Sequence, residues 1–295
     1  MSRAFYLLDF MNYFTDYNFF DDCYTLRRNG YQGQDKLSLL QFLVMGGLFL
    51  LIVLVSILLR KVKKEKIFLI YKVLSVVIPL GEIIKISYSS YFDILNGEGF
   101  NWGGILPLYT CSMVLYFLPF VAWGKGGKMQ QFSMAFFTTI GLVAGLSNFV
   151  YLSSASYYPI FSYGGLYSVV FHALIVFVGM SLMITGIYVP TDYKTINRAL
   201  IPVFIFGALV LPLNFVIMAA TRQSWTDYML LVKANGFSPF GDWSDWLGQY
   251  HLRFLFSFFM LFIVYPLATA LITYLDIGVV KLVQLPFHRK KEKTA

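Results

Sequence analysis

The sequence predicts an all-α polytopic membrane helix bundle of about seven transmembrane spans, with the N-terminus outside the cytoplasm and the C-terminus inside it. Two observations carry this prediction. First, 58% of the 295 residues are hydrophobic and only 13% are charged, about half the charged share of a soluble domain. Second, the apolar residues form runs of about 20 residues, the length at which a helix crosses the hydrocarbon core. Only lipid can cover so much apolar side chain.

Seven apolar runs are the predicted spans. They lie between a polar, aromatic N-terminal arm (1–36) and a basic cytoplasmic tail (281–295), so the bundle occupies residues 37–280. The runs are Leu37–Leu59, Ile67–Phe92, Ile105–Trp123, Gln131–Leu152, Leu166–Tyr188, Ala199–Ala220 and Leu247–Leu275. The arm shows no signal-peptide pattern, so we expect the first span to direct insertion. Its aromatic run Phe5–Phe20 predicts a helix in the membrane interface.

The orientation follows from lysine and arginine in the short loops, because these residues resist translocation. One side of the membrane holds most of them: Arg60, Lys61, Lys63, Lys64, Lys66, Lys125, Lys128, Lys194, Arg198 and the tail from Lys281 onward. That side is the predicted cytoplasmic one. The net charge of +8 is therefore a topology signal, and no nucleic acid partner is expected. The chain has two cysteines, Cys23 and Cys111, and the second lies in an apolar run, so no disulfide is expected.

Five polar side chains from four spans fall in the predicted outer half of the bilayer. They are Glu82, Lys85, Cys111, His172 and Asn214. At 1.5 Å per helical residue, Cys111 and His172 each lie about 9 Å below the outer ends of their spans. An ionisable group near the bilayer centre costs roughly 3 kcal/mol or more, so the shared depth favours one polar cavity. His251 and Arg253, near the outer start of the last span, are expected to line the same region.

Each of these residues also has a purely structural interpretation. A cysteine in an apolar helix is commonly an inert small hydrophobe, and a buried histidine is commonly a hydrogen-bonded bundle residue. Glu82 and Lys85 are spaced to neutralise each other on one helix face, and Asn214 can join two helices. The chain contains no G-x-S-x-G, H-E-x-x-H, P-loop or G-x-G-x-x-G pattern. Neither a cofactor nor a metal site is expected.

The heptapeptide LPLYTCS, Leu106–Ser112, resembles the L-P-L-H-x-C signature of the YwaF-like bacterial integral membrane family. Phe171-His172, Asn214 and Tyr228-Met229 continue the agreement, which covers roughly Leu37 to Tyr274. That family is related to a eukaryotic transmembrane acyltransferase family. The resemblance implies six or seven helices in the bacterial cytoplasmic membrane.

In the eukaryotic branch, a cysteine carries an acyl group during fatty-acid transfer to a lysophospholipid. By position, the resemblance makes Cys111 the nucleophile and His172 its base. The family's histidine two residues before the cysteine is Tyr109 here, which departs from the pattern.

Two functions remain open at this point. The first is a lipid acyltransferase or acyl hydrolase that acts on phospholipid or fatty-acyl substrate in the outer leaflet. Cys111 and His172 would be catalytic, and the binding or orienting residues would be Glu82, Lys85, Tyr109, Asn214 and His251. The second is a non-enzymatic transporter or lipid-binding protein that uses the same polar cavity. The chain shows no inverted repeat or paired broken helices, which disfavours the transporter.

Overall fold

All regular secondary structure in the described part of the chain is helical. The computed structural model describes residues 19–28, 39–97, 106–150, 158–221, 228–231, 240–250 and 252–292. The helices are α1 (Cys23–Arg28), α2 (Leu39–Leu59), α3 (Lys64–Leu95), α4 (Met113–Trp123), α5 (Lys128–Phe137), α6 (Ile140–Val150), α7 (Tyr163–Ile184), α8 (Lys194–Thr221), α9 (Phe240–Gln249), α10 (Arg253–Phe259) and α11 (Tyr265–Glu292). A 3-10 turn, Tyr228–Leu230, follows α8, and a π-helical turn, Met260–Val264, joins α10 to α11. The predicted all-α bundle is confirmed.

Six segments of the described chain are long and apolar enough to cross a membrane. They are Phe42–Leu59, Lys64–Leu95, Lys128–Phe149, Tyr163–Ile184, Lys194–Ala220 and Arg253–Gly278. Each corresponds to one of the seven expected spans. The last begins at Arg253 rather than Leu247, because α9 is a separate helix whose Trp243 packs edge-on against Phe256 and Phe259. The orientation of the two termini remains a prediction.

The third expected span, Ile105–Trp123, is not a full-length helix, and here the sequence-based expectation is corrected. Only α4 is helical, and its 11 residues reach about 16 Å, half the hydrocarbon thickness. The preceding residues 106–112 form turns. Pro107 disfavours helical backbone at Leu106, and non-helical backbone at membrane depth is tolerated where protein contacts satisfy it. Within this segment the Leu108 N–H donates to the Leu106 carbonyl at 2.9 Å, and the Thr110 hydroxyl is hydrogen-bonded to the Tyr265 hydroxyl at 2.7 Å.

The fourth span is broken into α5 and α6 at Thr138 and Thr139. Both threonine hydroxyls donate hydrogen bonds to carbonyls of the preceding turn, Thr138 to Met134 and Thr139 to Ala135. Side chains that bond back to the helix in this way bend it. The span is also the most enclosed of the six: 72% of an 18-residue stretch within it is buried, against 22% of the corresponding stretch of α2. It therefore forms the centre of the bundle, and α2 presents its apolar side chains outward.

The described part of the arm packs on the end of the bundle where α3 ends and α7 begins, which we call the arm end. The Tyr24 hydroxyl donates to Asp93 at 2.8 Å, and Arg28 donates to Asn96. The Phe20 carbonyl accepts from the Tyr88 hydroxyl at 2.8 Å. Of the expected interfacial run Phe5–Phe20, residues 5–18 lie outside the described residues, and Phe19 and Phe20 form a turn. The arm segment is thus tied to the bundle by side-chain hydrogen bonds.

Candidate functional site

A cavity of about 260 Å³ lies near the arm end, between α3, α7, the turn before α7 and the non-helical segment 106–112. Five of the predicted site residues line it: Glu82, Lys85, Tyr109, Cys111 and His172. They come from three separate stretches of the chain. The fold therefore brings the thiol, the imidazole and the ion pair to one cavity.

Cys111 lies immediately before the N-terminus of α4. Ser112 is the N-cap residue of this helix, and its hydroxyl is hydrogen-bonded to the Cys111 thiol. Lys85 and Glu82 are the charged groups that act on the thiol electrostatically. A helix N-terminus and a nearby ammonium group both favour a thiolate over a thiol. Burial and the Glu82 carboxylate act in the opposite direction.

Glu82 and Lys85 form the expected ion pair, with 3.0 Å between Nζ and Oε1. The Tyr167 hydroxyl donates a hydrogen bond to the other carboxylate oxygen. Glu82 is buried, whereas about a third of the Lys85 side chain is exposed. Both carboxylate oxygens are thus paired, which offsets the cost of burying the charge. The ammonium group remains accessible from the cavity.

His172 is held by two hydrogen bonds. Its Nδ1 lies 2.7 Å from the Ser168 carbonyl oxygen one turn earlier in α7, and its Nε2 lies 3.1 Å from Nδ2 of Asn148 in α6. A carbonyl oxygen can only accept, so Nδ1 carries the proton and Nε2 bears the lone pair. The ring is therefore arranged as a base at Nε2. No hydrogen bond joins it to Cys111 among the described residues.

Asn214 does not line the cavity. Its amide Nδ2 donates to the Tyr228 carbonyl and its Oδ1 accepts from the Tyr228 N–H, both at 3.0 Å. It is therefore a clamp between α8 and the 3-10 turn, not a group that contacts a cavity ligand. The clamp is connected to the cavity indirectly, because the Tyr228 ring packs edge-on against Tyr109 at 5.3 Å. His251 lies outside the described residues.

Sequence reasoning missed two groups of cavity residues. Four further tyrosines line the cavity, Tyr88, Tyr158, Tyr163 and Tyr167, and Asn148 holds His172. The i, i+4 spacing of Tyr163 and Tyr167 could have shown an aromatic stripe on α7. Asn148 is a polar residue in an apolar span and met the same depth test as Asn214.

Tyr158 illustrates how the tyrosines contribute. Burial raises the pKa of its phenol, and the neighbouring Cys23 raises it further. Its hydroxyl is hydrogen-bonded to Cys23 and so connects the cavity wall to the arm. Among the residues described by the structure, no cluster of three or more His, Cys, Asp or Glu side chains could hold a metal ion.

The six long apolar helices of the described chain define a polytopic α-helical integral membrane protein. The chain belongs to the TMEM164 family, whose model matches residues 31–269, a range that includes every cavity residue named above. Neither the curated proteins nor the solved structures contain a match to this chain. The narrower YwaF-like assignment remains a prediction.

Proposed function

We propose that the protein is a membrane-embedded acyltransferase or acyl hydrolase in which Cys111 accepts an acyl group and His172 is the general base. One observation carries this proposal: a thiol beside a helix N-terminus and an imidazole with its lone pair on Nε2, where it accepts from the Asn148 amide, line the same cavity. Such a pair divides a difficult acyl transfer into two easier steps.

The chemistry balances within the cavity. The Cys111 S–H bond breaks, its proton moves to Nε2 of His172, and the thiolate attacks the carbonyl carbon of an acyl ester. The tetrahedral intermediate expels the alkoxide, which takes the proton from the imidazolium and leaves as the alcohol. A second alcohol, or water, then gives its proton to Nε2 and attacks the thioester, and the C–S bond breaks to release the thiolate, which takes the proton back from the imidazolium. Lys85, next to the thiol, would stabilise negative charge as it forms.

The substrate class follows from the surroundings. The cavity lies beside lipid-facing helices and has an ammonium group and five tyrosines on its walls. A phospholipid or fatty-acyl ester that enters sideways would bring its carbonyl to the depth of His172, about 9 Å below the outer end of the predicted span Leu166–Tyr188. We also propose that the arm end faces outward, so that the substrate comes from the outer leaflet of a bacterial cytoplasmic membrane. Labelling of an engineered cysteine at Ser154 in intact cells, with a reporter after Ala295, tests this orientation.

The decisive experiment is trapping of the acyl-enzyme. Purified protein in liposomes is incubated with a phospholipid carrying an alkynyl acyl chain, and the label is read after denaturation. We expect a hydroxylamine-sensitive adduct on Cys111 that is absent from Cys111→Ala. Cys23→Ser is the matched control, since it removes the other cysteine and should leave labelling intact. Full lipid turnover by Cys111→Ala would contradict the proposal.

A second candidate is a non-covalent binding or transport cavity. It is favoured by one observation: both imidazole nitrogens and both Glu82 oxygens are already hydrogen-bonded, as expected of a static polar wall. This alternative predicts that Cys111→Ala is nearly silent, because alanine leaves no charge unpaired. Glu82→Ala would instead strand Lys85 and impair the protein. The two functions thus predict opposite rankings for these variants.

A further inference from the structure

The position of Asn148 depends on an unusually close approach of α6 to α7. A Cβ atom on Gly145 would lie 2.7 Å from Cγ2 of Val176 and 3.2 Å from the His172 carbonyl oxygen. Only glycine fits without movement of one helix. Asn148 stands three residues further along α6, and the close approach brings its amide within hydrogen-bond distance of the imidazole.

One end of the Asn148 amide is hydrogen-bonded, and among the described residues the other end has no partner. Nδ2 donates to Nε2 of His172, while Oδ1 is buried and accepts no hydrogen bond from the residues that the structure describes. A buried acceptor without a donor is energetically costly. The side chain is also almost fully buried, so bulk water does not supply the missing donor. The amide thus keeps an unused acceptor next to an imidazole that can acquire a proton.

The two ends of an amide have nearly the same shape, so a half-turn of the side chain exchanges them without repacking. In the present orientation the amide donates to a lone pair on Nε2, which fits only a neutral ring. After a half-turn Oδ1 would face Nε2, which fits only a ring protonated there. Because Nδ1–H stays bonded to the Ser168 carbonyl, that second ring is an imidazolium. Glu82 acts on the imidazole electrostatically from α3, and Lys85, Cys111 and Tyr167 share its cavity.

We propose that Asn148 is the positioning residue of His172, which it holds as the Nδ1–H tautomer at rest and stabilises as the imidazolium by turning its amide oxygen toward Nε2. This role rests on the proposed function, in which the Cys111 proton arrives at Nε2. The S–H bond breaks, the N–H bond forms, and the electron pair stays on sulfur. Asn148 therefore sets which nitrogen is the base and supplies the acceptor for the new N–H.

The test is nitrogen NMR of the imidazole in the full chain. The chain has three histidines, so His251→Gln and His288→Gln leave His172 as the sole one. With ¹⁵N-labelled histidine in lipid nanodiscs near pH 7.5, we expect a pyrrole-type Nδ1 and a pyridine-type Nε2. This tautomer is diagnostic, since free histidine favours the proton on Nε2. A ring protonated on Nε2 alone would overturn the proposal.

Two substitutions at Asn148 separate positioning from packing. Asn148→Leu keeps the volume but removes the amide, so the Nε2 resonance should move as it loses its donor. Asn148→Asp supplies a carboxylate, so both ring nitrogens should become protonated at the same pH. Ser147→Asp, at the exposed neighbouring position, is the matched control and should leave the ring neutral. An unchanged Nε2 resonance in Asn148→Leu together with a neutral ring in Asn148→Asp would refute the proposal.

A kinetic measurement connects the tautomer to the thiol. In a Cys23→Ser background, alkylation of Cys111 by N-ethylmaleimide should slow by about 10- to 100-fold in Asn148→Leu, the effect of losing a hydrogen bond to a charged group. An unchanged alkylation rate would count against the imidazolium role. Neither the NMR spectrum nor the alkylation rate depends on lipid turnover. Failure of the acyltransferase proposal would therefore be seen separately, as full lipid turnover by Cys111→Ala.

Discussion

Asn148 and Asn214 are both buried asparagines in apolar helices, yet they have different partners. Asn214 uses both ends of its amide on the backbone of Tyr228. Asn148 uses one end on the His172 side chain, and its other end accepts no hydrogen bond among the described residues. A fully satisfied polar group fixes structure, whereas a partly satisfied one next to a titratable group can respond to a change of charge. The predictions below separate the polar groups that hold the backbone from those that line the cavity.

The largest expected effect is the loss of lipid turnover on removal of the cavity residue His172. His172→Ala should lower lipid turnover by a factor of about 10² to 10⁴, the usual contribution of a general acid or base. Thermal unfolding in detergent should change little, because one side chain at a cavity wall is removed from a large bundle. The rate is measured with the alkynyl phospholipid in liposomes. Lipid turnover within a factor of two of the wild-type rate would show that His172 has a structural role and is not the general base.

Asn214→Leu should have the opposite profile. The leucine side chain has a similar volume but cannot bond the Tyr228 N–H and carbonyl, and each lost partner costs about 1–3 kcal/mol. We expect a lower unfolding temperature and a disordered 3-10 turn. Lipid turnover should fall only to the extent that Tyr109 moves when the Tyr228 ring no longer packs against it. If the variant unfolds at the wild-type temperature but its lipid turnover is strongly reduced, Asn214 acts in the cavity and does not mainly hold the backbone.

Gly145→Ala tests whether the close approach of α6 to α7 positions Asn148. The new methyl group would lie 2.7 Å from Cγ2 of the fully buried Val176, so α6 must move away from α7, at a cost of about 1–3 kcal/mol. We expect both lower stability and slower alkylation of Cys111. Gly47→Ala in α2 is the matched control, because nothing lies within 4 Å of its Cβ position. Equal effects at the two glycines would show that the close approach is unimportant.

The smallest expected effect concerns the arm. Asp22 caps α1 by accepting hydrogen bonds from the N–H groups of Tyr24 and Thr25. Burial opposes its ionisation, but the bonds from Thr25 and Tyr24 outweigh it and lower the pKa of the carboxyl. The carboxylate therefore stabilises α1 above the unfolded pKa of about 4, and this contribution is lost as pH falls through the lower folded value.

Asp22→Ala should cost about 1 kcal/mol of helix stability, as other lost N-caps do. Hydrogen exchange of residues 24–28 should be several-fold faster in the variant at neutral pH. Wild-type protection, corrected for intrinsic rates, should approach the variant's as the pH is lowered below 4. Identical exchange in both proteins at pH 7 would show that the arm is held without the cap.

The fold class and six of the spans were predictable because bilayer thickness and hydrophobicity act on consecutive residues. The Glu82–Lys85 pair was predictable for a similar reason, since its i, i+3 spacing alone places both groups on one helix face. The break before α4 was not predicted, because residues 106–112 run directly into the apolar stretch of α4 and were counted with it. This segment is held in place by tertiary contacts such as the hydrogen bond between the hydroxyls of Thr110 and Tyr265, 155 residues apart in the chain.

The depth of each polar residue was a property of the sequence, but the rotation of each helix about its axis was decided only by tertiary packing. Depth alone does not distinguish Asn148 from Asn214, and only Asn214 was predicted to line the cavity. The structure directs Asn148 toward His172 because Gly145 lets α6 contact α7 closely, and it directs Asn214 toward Tyr228. Depth depends on a count of residues along one helix. Orientation depends on which surfaces of several helices fit together, and no single span contains that information.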